Sequence, residues 1–197
     1  VSGYTGTPFE LLYAYAAAST NLATFTTEDN LLKTYPPVFI PAGFFGLQGG
    51  TGKSLRLRAA GQMGFTTGAP TFLWSIRLIN AASPPAWSAG GVLLAATAAL
   101  ATGGTAVVTT PWYMDLDVVA RTLGTGAATT VVTMGEIRAP AALASQFTAT
   151  IPSLAVSPAV ATVDASQPYY LYLSCACGTS NSLNLINTQM LKCYGEN

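Results

Sequence analysis

The chain has no histidine, little charge and only three cysteines. Each shortage removes a class of function. Without histidine, the commonest general base, the usual catalytic triads and most zinc sites are gone. Lys plus Arg number 8 and Asp plus Glu number 8, so only 8% of the 197 residues are charged, against a typical quarter. The formal net charge is zero. Composition therefore gives no electrostatic reason to expect nucleic acid, an acidic substrate or a membrane surface as partner. The arginines alternate with acids rather than with aromatics, which also argues against single-stranded nucleic acid. The acids do not cluster at alternating loop positions, so no Ca²⁺ loop is present.

The cysteines are Cys175, Cys177 and Cys193. An odd count does not make a disulfide framework. Cys175 and Cys177 share one side of a strand and cannot easily bridge each other. They are expected to act as small buried hydrophobes, with a bridge from Cys193 to one of them left open. A metal site would lack its fourth ligand, and no cofactor is expected. The longest apolar stretch, Val92 to Val108, is broken by Gly103-Gly104 and makes a poor membrane span. No basic stretch followed by an apolar run opens the chain, so no signal peptide is expected. The start at Val1 is expected to reflect processing.

What is present is period-two alternation. Leu55, Leu57 and Ala59 alternate with Ser54, Arg56 and Arg58; Trp74, Ile76 and Leu78 with Ser75 and Arg77; Met114, Leu116 and Val118 with Asp115, Asp117 and Arg121. Further runs cover Thr130 to Arg138, Phe147 to Ile151, Tyr169 to Ala176 and Leu185 to Tyr194. They are rich in β-branched and aromatic residues and separated by Gly, Pro, Ser and Asn. One apolar face per strand is the mark of antiparallel sheets packed on one side. The expected fold is all-β, with one sandwich domain over 21–197 and an N-terminal arm over 1–20. The first strand is expected near Asn21 to Thr26, although the alanines between Phe9 and Ala18 also favour helix. Ala81 to Thr110 and Pro152 to Pro168 are expected to be long loops, the first holding one strand at Gly91 to Ala96.

Candidate chemistry is thin. Gly49-Gly-Thr-Gly-Lys-Ser54 resembles the end of a phosphate-binding loop, but Leu47 stands where the motif needs glycine and a strand, not a helix, follows. Asp115 and Asp117 lie on one face of a strand, about 7 Å apart at strand rise. A retaining glycosidase needs two carboxylates about 5–5.5 Å apart. Arg121 shares that face, and Arg56, Arg58, Arg77, Glu136 and Arg138 fall on the polar faces of other strands. These five arginines and three acids are half of all charged residues. Cross-strand ion pairs account for them without catalysis. So little charge elsewhere leaves large neutral surfaces, which point to coverage by protein partners.

Three segments carry a family resemblance: Ile40-Pro-Ala-Gly-Phe-Phe45, Gly52-Lys-Ser-Leu-Arg-Leu-Arg-Ala-Ala-Gly61, and Trp112-Tyr-Met-Asp115 running to Arg121-Thr-Leu-Gly124. The pattern resembles tailed-bacteriophage structural proteins of the jelly-roll type. The resemblance implies a virion protein, a homotrimer on the capsid surface or in a tail appendage. The expected architecture is a jelly-roll-like sandwich of about eight strands. The leading expectation is a capsid decoration or minor capsid protein that binds the major capsid protein, with no nucleic acid and no membrane among its partners. Tyr4, Phe9, Tyr13 and Tyr15 of the arm are its expected anchors. Arg56, Arg58, Arg77, Asp115, Asp117, Arg121, Glu136 and Arg138 are the expected subunit-contact set. The alternatives are a tail-fibre or spike domain binding host glycan through Trp87, Trp112 and Asp115, and a carbohydrate-active enzyme using Asp115 or Asp117.

Overall fold

Alternating residues bury one face of each long strand, and two sheets close over the result. A computed structural model describes residues 9–46, 53–124, 128–142, 145–151 and 160–196. Among these the strands are β1 (Phe9–Tyr15), β2 (Leu22–Ala23), β3 (Asp29–Asn30), β4 (Val38–Ile40), β5 (Ser54–Phe65), β6 (Thr71–Asn80) and β7 (Val92–Ala96). They continue with β8 (Leu100–Ala101), β9 (Val107–Thr122), β10 (Thr129–Ala142), β11 (Ser145–Ile151), β12 (Ala161–Val163), β13 (Tyr169–Cys177) and β14 (Leu185–Glu196). The larger sheet runs β1-β14-β5-β9-β10-β11, with β2 beside β14 and β12 beside β10. The smaller runs β3-β13-β6-β7, with β4 beside β13 and β8 beside β6.

The pairing is nested. β1 and β2 pair with β14, β3 and β4 with β13, β5 with β9, and β6 with β7, all antiparallel. A long antiparallel ribbon folded over on itself gives this order, and that is a jelly roll. The β10–β11 hairpin widens the larger sheet beyond β9. No helix among the described residues is long and apolar enough to cross a membrane.

The core lies between the sheets. Leu55, Leu57, Ala59, Met114, Leu116 and Val118 face Phe72, Trp74, Ile76, Leu171 and Leu173 across it, all buried. Trp74 and Trp112 meet with ring centroids 6.4 Å apart. The Trp112 indole N–H donates to the Asn187 carbonyl at 2.9 Å. Gly61 makes this crossing possible. A Cβ there would stand 1.9 Å from the Asn187 oxygen and 2.7 Å from the Trp112 nitrogen.

Three expectations are corrected. Residues 9–15 are not a free arm or a helix but an edge strand paired to β14. Tyr13 and Tyr15 pack against the core, and the Tyr15 ring lies tilted against Tyr35 with centroids 3.7 Å apart. The first expected strand shrinks to Leu22–Ala23. The long segment after β6 is not an open excursion: the Tyr172 hydroxyl donates to the Pro85 carbonyl, and Trp87 lies 5.5 Å from the Tyr172 ring. That segment roofs the outer face of the smaller sheet, where Tyr170, Tyr172 and Ser174 are buried. Tyr4, the glycine turn of residues 49–52 and residues 152–159 of the second expected loop lie outside the described residues, and the rest of that loop carries the strand β12.

Candidate functional site

The outer face of the larger sheet gathers most of the expected charge set, because register and alternation act together. Lys192, Arg58, Asp115 and Glu136 sit side by side on β14, β5, β9 and β10. The next row is Leu11, Tyr194, Arg56, Asp117 and Met134. The row on the other side is Met190, Ala60, Tyr113 and Arg138. The margins stay open: Leu11 and Met134 are each 57% exposed.

Asp115 is the hub. Arg56 donates to both its oxygens at 3.2 and 3.0 Å, Arg58 donates at 3.1 Å, and the Tyr113 hydroxyl donates at 3.1 Å. Partial burial alone would raise its pKa, but the hydrogen bonds and charge of Arg56, then Tyr113 and Arg58, hold it below its usual value. Arg56 is correspondingly held more firmly protonated by its bond to Asp115. Burial, reinforced by the Asp115 charge and hydrogen bond, pushes the Tyr113 hydroxyl up. A carboxylate so fully engaged is poorly placed to exchange protons with a substrate. Asp117 differs. Its Oδ1 stands 3.9 Å from Arg56 Nε and has no hydrogen-bond partner. Arg138 reaches Glu136 at 2.6 Å along its own strand. A depression of about 280 Å³ lies between Arg56, Arg58, Tyr194 and Glu196.

Two members of the expected set lie elsewhere. Arg77 is on the smaller sheet, where Nε and Nη2 form a fork on Glu28 at 2.7 and 2.8 Å. The Ser174 hydroxyl donates to the same carboxylate at 2.6 Å, and Arg77 Nη1 donates to the Gly91 carbonyl at 3.1 Å. This pair ties the roofing segment to the sheet. Arg121 is exposed and forms no ion pair with a described residue. Of the glycan candidates, Trp112 is 1% exposed and cannot offer a platform, while Trp87 is half-buried on Tyr172. Of the arm residues, Phe9 lies on the edge strand β1.

The thiols of Cys175, Cys177 and Cys193 are buried and unbridged. Burial raises all three, Cys193 to about 12, which leaves them inert as nucleophiles. No group of three or more potential metal ligands occurs among the described residues.

Sequence reading passed over Lys192, Tyr194 and Met134 on the charged face, and Glu28 on the other sheet. The first three were findable, since β14 alternates from Leu191 to Glu196 and β10 from Thr129 to Met134. Glu28 sits just before a two-residue strand and carries no periodic signal. Comparison with family models, curated proteins and solved structures finds no match to this chain.

Proposed function

We propose that this chain is a virion structural protein of the capsid-decoration type, which binds the shell surface as a homo-oligomer and stabilises it. The observation that carries the reading is the outer face of the larger sheet: it is broad and open, and its central carboxylate is locked in ion pairs instead of being poised for chemistry. A face of that kind suits protein contact. The jelly-roll topology is compatible with the reading, since viral capsid domains use it, but lectins use it too. The three resembling segments tip the choice toward the virion. The mechanism is linkage: a subunit that binds only assembled shell stabilises it, and several tethered copies multiply weak contacts.

Co-sedimentation tests this. The purified chain is mixed with assembled shells that lack it, and shell melting is followed. Binding with a raised shell melting temperature is expected. Absence of binding, or release of reducing sugar from surface polysaccharide, contradicts the reading. The glycan-binding alternative keeps one observation in its favour, two aromatic pairs on β13: the half-buried Trp87 against Tyr172, and the exposed Phe39 against the buried Tyr170. Glycan binding abolished by Trp87→Ala, without shell binding, would favour it.

A further inference from the structure

We propose that the outer face of the larger sheet binds the same face of a second copy of this chain, about a two-fold axis along the seam between β5 and β9. Such an axis lays β5 over β9 and β14 over β10 of the second copy, while keeping each row opposite itself. The rows are self-complementary under that operation. Arg58 meets Asp115 of the second copy, and Lys192 meets its Glu136. One row along, Arg56 meets Asp117 of the second copy, and Tyr194 meets its Met134.

The charges divide at the same seam. The β14–β5 half carries Arg56, Arg58 and Lys192 against Glu196, and the β9–β10 half carries Asp115, Asp117 and Glu136 against Arg138 and, near the end of β9, Arg121. Basic half meets acidic half twice in every pair of chains. Complementarity of this kind fixes register and partner choice more than it adds raw affinity. Two local features fit it. The half-exposed Asp117 side chain is brought toward the depression lined by Arg56, Arg58, Tyr194 and Glu196. The exposed Met134 is brought to an aromatic ring, a favourable sulfur contact. The area is adequate. Six strands about 4.8 Å apart and about seven residues long cover about 700 Å² per copy, close to the ~800 Å² per partner of a standard interface. Two twisted sheets packing face to face is also the ordinary geometry of a sandwich.

The inference deepens the assembly reading by naming one contact, and it rests on that reading only in treating the chain as a subunit. Its test needs the isolated protein alone, so failure of shell binding leaves it standing. The family resemblance implies three copies, whereas this face is self-complementary about a two-fold, and the mass of the assembly separates them. The experiment is native mass spectrometry and sedimentation velocity on the full chain, with Lys192→Glu and Glu136→Lys. The expected wild-type species is a dimer. Each variant places like charges opposite each other twice and should dissociate about tenfold more readily or worse. An equimolar mixture of the two should recover a heterodimer, because both contacts become opposite-charge pairs again. Met134→Asp, at an exposed site, serves as a second disruptor with an unchanged monomer melting temperature. A monomeric or trimeric wild type overturns the proposal. So do dimers of folded variants at wild-type strength, or a mixture that stays monomeric.

Discussion

At Asp115 three side chains hold one carboxylate, and the consequence is a pH dependence. Its pKa in the folded chain lies below the ordinary 3.8. The cluster therefore contributes its full stability above that value and loses it as pH falls through the lower folded value. Asp115→Asn should reduce stability at pH 7 by about 1–2 kcal/mol, allowing for solvent screening. In urea denaturation the gap from wild type should narrow as pH falls through that lowered folded value and the wild-type carboxylate takes up its proton. A gap that persists undiminished there would assign the loss to packing. Gly61 is the other residue with a sharp requirement. Gly61→Ala drives a methyl group into the Asn187 carbonyl and the Trp112 nitrogen, so it should cost about 2–4 kcal/mol. A thermal midpoint within a degree or two of wild type would show that the Trp112 bond is dispensable.

Among the elements, β1 and β14 make the clearest contrast. β14 lies between β1 and β5 and is paired on both sides, whereas among the described residues β1 is paired on one side only. Amide hydrogen exchange should therefore be slowest in β14, β5 and β9 and faster in β1 by an order of magnitude or more. Equal protection of β1 in the isolated chain would mean that its outer edge is covered. The same contrast explains what the sequence showed. β5, β6 and β9 alternate over most of their length, so most of their buried faces were legible residue by residue. β1 was not, because a register shift between Leu11 and Tyr13 breaks its alternation, and its alanines carry helix propensity that sheet pairing overrides. β2, β3, β4 and β8 are two or three residues long, too short for any period. The charged face was legible as a set of residues but not as a surface. Which strands neighbour which depends on nested pairings between distant parts of the chain, and these also separated Arg77 from the others.

As a whole molecule, the jelly roll spends its charge unevenly. One broad face holds compensating ion pairs on β5, β9 and β10 and has exposed margins. The other sheet is roofed by its own chain and pinned by the part-buried Arg77–Glu28 pair. That asymmetry leaves the molecule one open sheet face and one covered by its own chain. The most direct measurement is cryo-electron microscopy of intact particles bearing this protein. The account predicts sandwich-shaped density at regular positions on the outer shell, with the larger sheet's outer face against another protein subunit. Density confined to the tail tip, or that face left bare to solvent in every copy, would contradict it.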